Sequence, residues 1–445
     1  MARSARRPGR QAQVAGLLVA ALLLACASVG APPGGPPDKE PPKIVRVKPE
    51  SGAAVPNFHG DAVIQFDEVI DEMAGSGGAG VSGLAKLVLL SPVSGPVKVS
   101  WHRTSVHIKP KEGWKRRVYR LEIQPGFTDL RRNRSDSGKT VLFSTGPEIG
   151  HARIGGIALK WIEQTILLHA LIEAVPLPDS AGYMTFADSG GQFNLTNLQP
   201  GRYIVYATAD ENNDRHRGLR EAYDSVEVTL DSSTNVALFA FPHDTVPPRP
   251  RAATYVDSVS VRVEFSQALD PAKSLDTTHV HLLALPDSAP VPIDRILAER
   301  QFDSLATAAA VARQKADSAA AAARDTTKRQ PRPAPPPPPP PPPPRAGPGR
   351  TPAKSYVDST LVRQLLAQRP VPSDKIVIRL MHPLKPDARF VVRITGATNL
   401  IGKKGDGDIG FTVPKPVVPD STRRARGDTT HRARLPLPPT SRPPS

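Results

Sequence analysis

The chain has 445 residues, one cysteine, 51 prolines, 5% aromatic residues and a formal net charge of +16. A single thiol excludes a disulfide framework, so every domain must be stable on its apolar core alone. So few aromatics among so many prolines argue against one large enzyme core and suit two to four small β domains joined by irregular segments.

Arg3, Arg6, Arg7 and Arg10 precede an uncharged apolar run over residues 14–25. This is the layout of a secretory signal, and about a dozen apolar residues are too few to span a bilayer. The run ends in Leu23-Leu24-Ala25-Cys26, which resembles a bacterial lipobox. That resemblance implies cleavage before Cys26 and a lipid on its thiol, with multi-chain acylation giving a firm anchor. The alternative is an ordinary signal in which the cysteine falls by chance. Ala27, standing where Asp would be the usual retention signal, points to the outer membrane.

Loss of residues 1–25, with four arginines and no acid, lowers the charge from +16 to +12. Much of the remaining excess lies in residues 413–445, where Lys415 and six arginines face only Asp420 and Asp428. A disordered basic tail of this kind, over 415–445, suits anionic lipid, polysaccharide or cell wall. Nucleic acid is not expected as a partner of an exported chain.

Residues 26–42 are Pro/Gly-rich and read as a tether. The pattern changes at Lys43. Ile44-Val45-Arg46-Val47 and Asp61-Ala62-Val63-Ile64-Gln65-Phe66 alternate as strands, and residues 86–90, 97–101, 105–108 and 118–123 continue the series. Short strands with turn signals between them predict a β-sandwich over 43–147.

The same grammar returns over 247–414. Val259-Ser260-Val261-Arg262-Val263-Glu264-Phe265 parallels residues 63–66. Tyr119-Arg120-Leu121-Glu122-Ile123, Asp129-Leu130 and Phe143-Ser144-Thr145 have their counterparts in Phe390-Val391-Val392-Arg393-Ile394, Asn399-Leu400 and Phe411-Thr412-Val413. A repeat of this length predicts two copies of one sandwich. Both copies resemble the bacterial Ig-like domain of the surface-layer-protein (SbsA) type. The first copy carries its Pro41-Pro42 opening, its Pro49-Glu50-Ser51-Gly52 turn, Phe66-Asp67-Glu68 and Phe143-Ser144-Thr145. It departs from the pattern at Arg131-Arg132-Asn133, where Gly-Asn is usual, and in a Gly-rich insertion at 74–83.

Between the copies, residues 151–242 form a different unit, with strands read at 157–159, 166–171 and 182–184. Asp188-Ser189-Gly190-Gly191-Gln192-Phe193-Asn194-Leu195, followed by Leu198-Gln199-Pro200-Gly201-Arg202-Tyr203, resembles the carboxypeptidase-regulatory, transthyretin-like fold. The glycines supply turn dihedrals while Phe193, Leu195, Leu198 and Tyr203 fill one core.

The third domain is interrupted over 298–355 by an Ala-rich stretch that reads as a polar helix and by ten consecutive prolines at 335–344. The prolines would extend about 31 Å in polyproline II and bury nothing. The segment is therefore expected to be a solvated, largely disordered insertion whose ends return close together.

Chemistry is sparse. Asp210, Asn212, Asp214 and Glu221 have the 1, 3, 5, 12 spacing of a calcium loop. Against it, Arg215 stands where glycine makes the sharp turn, His216, Arg217 and Arg220 add positive charge, and a strand precedes the loop where a helix belongs. The expectation is a polar hairpin, with no metal and no cofactor assigned. Gly75-x-Gly77-x-x-Gly80 lacks a βαβ unit, and Gly138-Lys139-Thr140 lacks the upstream glycine of a P-loop. His279-Val280-His281 would put two imidazoles on one strand face without a third ligand. Arg426-Gly427-Asp428 lies in the Arg-rich tail. No His-Glu-x-x-His, Gly-x-Ser-x-Gly or Cys/His pair occurs, so no catalytic residue is named.

The resulting expectation is an all-β chain of tandem β-sandwiches (Ig-like, transthyretin-like, Ig-like). It would serve as a non-enzymatic, lipid-anchored envelope protein with structural or adhesive work. Its partners would be the membrane through Cys26, other envelope proteins, or a cell-wall or surface polysaccharide. The alternative is a carbohydrate- or cell-wall-binding accessory protein.

Overall fold

The computed structural model describes residues 38–77, 81, 83–324 and 359–415. Cys26 with the signal and most of the tether, Gly80, the proline run and the tail from residue 416 onward lie outside the described residues. The chain divides into two compact units, the first ending at Ile149 and the second beginning at Gly150. The all-β sandwich fold expected of the sequence is the fold observed.

The first unit contains β1 (Ile44–Lys48), β2 (Ala53–Ala54), β3 (Ala62–Phe66), β4 (Val88–Ser91), β5 (Val97–His102), β6 (Ser105–Pro110), β7 (Val118–Ile123) and β8 (Lys139–Ser144). They form two four-stranded sheets, β1-β3-β6-β5 and β2-β8-β7-β4. Alternation places Ile64, Phe66 and Val106 of one sheet and Leu121, Val141 and Phe143 of the other in a single core. Residues 83–87, read in part as the start of a strand, make a 3-10 turn instead, and β4 begins only at Val88.

The second unit opens with β9 (Ala152–Lys160), β10 (Thr165–Ile166), β11 (Leu171–Pro176), β12 (Tyr183–Phe186), β13 (Gln192–Leu198), β14 (Gly201–Thr208), β15 (Ala222–Leu230) and β16 (Ser233–Pro242). The stretch 166–171, expected as one strand, is broken because His169 adopts a left-handed φ of 51°. The strands join in one eight-stranded sheet whose two halves close on a shared core that includes Ile154, Phe193, Leu195, Tyr203 and Val205.

The rest of the unit comprises β17 (Pro250–Asp257), β18 (Ser260–Leu269), β19 (Val280–Ala284), β20 (Ala289–Val291), β21 (Ile293–Ala298), helix α1 (Glu299–Arg324), helix α2 (Ser359–Ala367), β22 (Ser373–Leu380), β23 (Arg389–Thr398) and β24 (Lys404–Thr412). Its sheets run β17-β18-β22-β21 and β20-β19-β23-β24.

The first sheet of this domain repeats the order of β1-β3-β6-β5. In both copies a cross-strand aromatic pair stacks on the second sheet. Tyr119 lies opposite Phe143 with centroids 5.6 Å apart, and Phe390 lies opposite Phe411 at 5.6 Å.

The register locates the insertion. In the first copy β5 turns into β6 through Arg103 and Thr104 alone. At the equivalent hairpin, Ala298 of β21 pairs with Ile376 of β22, so the chain leaves and returns at one point. The excursion spans 299–372 and so reaches beyond the expected 298–355. It is not wholly solvated. Phe302 is buried, Glu299 sits 3.1 Å from Arg262, and residues 303–320 of α1 are exposed.

Helix α2 was not foreseen. Val362, Leu365 and Leu366 fall on one face by i, i+3, i+4 spacing. That face packs on Ile157, Leu159 and Phe239, the outward side of β9 and β16. Arg369 lies over the Phe239 ring at 4.4 Å, and the Trp161 indole donates to Pro370 O at 3.1 Å. Strand β9 is therefore apolar on both faces. Ala158 points into the sandwich core, while Ile157 and Leu159 receive the helix.

Candidate functional site

The four residues with calcium-loop spacing lie along the loop that joins β14 to β15. Thr208 pairs with Tyr223, and Ala209 N–H donates to Ala222 O at 2.8 Å. Asp210 and Glu221 follow these pairs on either side of the loop mouth. Asp210 accepts from the backbone N–H of Asp214 (3.0 Å) and of Arg215 (3.1 Å). Asn212 Oδ1 accepts from Asp214 N–H at 2.9 Å, and Asp214 Oδ1 from His216 N–H at 2.7 Å. Arg215 adopts φ 63°, so the backbone makes the left-handed turn without glycine.

Glu221 is only 7% exposed. One of its oxygens accepts from Gly218 N–H at 2.8 Å, while Oε1 is buried with no hydrogen-bond partner. Burial first, and then the charges of Glu221 and Asp214, push the Asp210 carboxyl above the usual range, against the pull of the two backbone donors. Arg217 is turned away from these acids. Its guanidinium lies over Tyr206 at 3.7 Å and stands 3.8 Å from Glu173.

The first unit carries a second acidic group that sequence spacing did not reveal. Carboxylate oxygens of Asp38, Glu68 and Asp129 lie within 4.8 Å of one another. Asp129 is 2% exposed and commits its oxygens to a turn, accepting from Arg131 N–H, Asn133 N–H and the Asn133 amide. Burial, followed by the Asp129 and Asp38 charges, raises the pKa of Glu68. A carboxyl raised in the fold contributes its stability at low pH and loses it as pH climbs through the folded value. Glu68→Gln should therefore raise the melting temperature by about 1–2 °C at pH 7, with no gain at pH 3. Paired thermal melts at the two pH values check this.

A serine–histidine–aspartate array also forms, on β6. Ser105 Oγ lies 3.2 Å from His107 Nε2, and His107 Nδ1 lies 3.4 Å from Asp61. Ser-x-His on one strand was the signal available in the sequence; Asp61 reaches it only through sheet pairing. The serine is buried and its hydroxyl donates to His102 O at 3.3 Å, so this is structural bonding and not an exposed nucleophile.

The remaining motifs separate. His279 Nδ1 bonds Asp276 at 2.7 Å, while His281 stands opposite Arg393, a poor setting for a cation. Gly138 precedes β8, and its Lys139 and Thr140 are ladder residues. Beside helix α2, a cavity of about 790 Å³ is lined by Arg153, Phe186, Gln192, Asn194, Asn235 and Leu365. Among the described residues no helix is long and apolar enough to cross a membrane.

No curated protein matches the chain. Among solved structures, the major pilin subunit of Bacillus cereus is similar over 45% of this chain and 70% of its own, at 11% identity and a TM-score of 0.16. The Bacillus anthracis TIE protein is similar over 64% of this chain and 52% of its own, at 12% identity and a TM-score of 0.16. A DUF3823 family protein from Bacteroides uniformis is similar over 60% and 100%, at 9% identity and a TM-score of 0.16. Residues 38–145 match the family model of the bacterial Ig-like domain.

Proposed function

We propose that the chain is a non-catalytic structural protein of the bacterial cell envelope, held to the outer membrane by lipid on Cys26 and spacing or joining envelope components through its sandwiches. The observation that carries this reading is the repeated Ig-like architecture. The aromatic pairs Tyr119–Phe143 and Phe390–Phe411 and the matching sheet orders serve packing, and the Ser105–His107–Asp61 array offers no exposed nucleophile. The lipobox-like ending at Cys26 and the basic tail support an envelope setting.

One observation favours the second reading, a glycan-binding accessory protein. The cavity beside α2 combines the amides of Gln192, Asn194 and Asn235 with Arg153 and the Phe186 ring, the mixture of donors and apolar surface that a sugar requires. Sedimentation with purified peptidoglycan and envelope polysaccharide separates the two. A structural module leaves the protein in the supernatant at every concentration. Saturable binding that Asn235→Ala abolishes would replace the first reading by the second.

A further inference from the structure

We propose that the hairpin loop 210–221 binds one calcium ion, with side-chain oxygens of Asp210, Asn212 and Asp214, the His216 carbonyl and the Glu221 carboxylate as its ligands. This binding site goes beyond the structural role argued above and does not depend on it.

Spacing alone would not carry the assignment. The buried Glu221 does. Its side chain is more than nine-tenths covered, its Oε2 is tied into the loop by Gly218 N–H, and its Oε1 has no donor. An unpartnered carboxylate oxygen at such depth is costly unless a cation meets it. The hairpin pairing that ends at Ala209 and Ala222 leaves Asp210 and Glu221 as neighbouring residues at the loop mouth, where like charges repel. A divalent ion between them turns that repulsion into coordination.

The features that weigh against calcium in the sequence have a different bearing in the fold. Arg215 takes the left-handed conformation at φ 63° that position six of a calcium loop requires. Its N–H and that of Asp214 hold the Asp210 carboxylate in place, and each carboxylate oxygen keeps lone pairs for a metal. The Arg217 guanidinium is engaged with Tyr206 and Glu173, the Arg215 guanidinium lies 5.9 Å from the Phe186 ring centroid, and Arg220 is exposed to solvent. Four oxygen-bearing side chains and one backbone carbonyl make an all-oxygen set that suits calcium over the smaller magnesium ion.

Calorimetric titration of the EDTA-treated full chain with calcium chloride tests the assignment, with thermal melts alongside. Native protein should bind one calcium in the loop and gain about 5 °C at a hundredfold excess over Kd, with no matching gain from magnesium chloride. Asp210→Asn and Glu221→Gln should each abolish that binding, while Glu68→Gln should retain it. In EDTA, Glu221→Gln should melt at or above the native temperature, because the amide still accepts from Gly218 without burying a charge. A lower melting temperature there would mean that the Glu221 charge serves the fold and not a cation. Absence of calcium binding, or binding that survives both loop variants, would overturn the proposal.

Discussion

Asp129→Ala is expected to destabilise the first unit by about 2–4 kcal/mol, since it removes the buried acceptor of three hydrogen bonds at once. Asp129 accepts from the N–H of Arg131 at 2.9 Å, the N–H of Asn133 at 2.8 Å and the Asn133 amide at 2.7 Å. Its own N–H donates to Asn133 O, and Arg132 at φ 68° donates back to Asp129 O, closing a tight turn.

Asn399 does the same work in the other copy. It accepts from Ile401 N–H and Lys403 N–H, and its amide donates to Asp244 O at 2.7 Å and Gln267 at 3.0 Å. Gly402 at φ 85° occupies the place of Arg132. Isolated bridges Ile70–Asp129 and Leu269–Asn399 tie both turns to the segments at the ends of the equivalent strands β3 and β18. Asn399→Ala should therefore cost a similar amount in its own domain. Urea unfolding at pH 7 measures both, with the midpoint shifting and the slope unchanged. A loss below about 1 kcal/mol in either variant would mean that water replaces these bonds and that the turn does not anchor the sandwich.

The other large effect concerns location. Cys26→Ser should move the protein from the membrane fraction to the soluble fraction, or leave it unprocessed with its apolar segment attached. Each acyl methylene buried in the bilayer contributes about 0.8 kcal/mol, so loss of the lipid should be close to all-or-none, and among the described residues no helix is long and apolar enough to span in its place. Fractionation combined with labelling by radioactive palmitate reads both halves, and label should appear on native protein only. A processed Cys26→Ser protein that stays in the membrane would remove lipid from the account and shift attention to the basic tail.

Strand-scale features were readable from sequence because they rest on local physics. The alternation of Ala62, Ile64 and Phe66, and again of Val261, Val263 and Phe265, assigns one face of each strand to a core without knowledge of the partner sheet. The repeat was legible for the same reason, since equivalent turns need equivalent residues. Asp129 and Asn399 differ chemically yet cap the same geometry. Where a backbone angle interrupted the apolar run, as at His169, sequence reading joined two strands that the fold separates.

By itself the sequence determined the all-β class, the two related sandwiches and the spacing of the 210–221 loop. Tertiary structure alone decided what faces what. Val362, Leu365 and Leu366 form an apolar face in any helix, but only the fold supplies Ile157, Leu159 and Phe239 to cover it. Asp61 joins Ser105 and His107, and Asp38 joins Glu68 and Asp129, across sequence distances that no local pattern encodes. In the sequence Glu221 is only the twelfth position of a loop spacing. It becomes the residue that argues for a ligand because packing leaves one of its carboxylate oxygens buried without a partner. Burial and register are properties of long-range contacts, and the chain acquires them only when the sheets close.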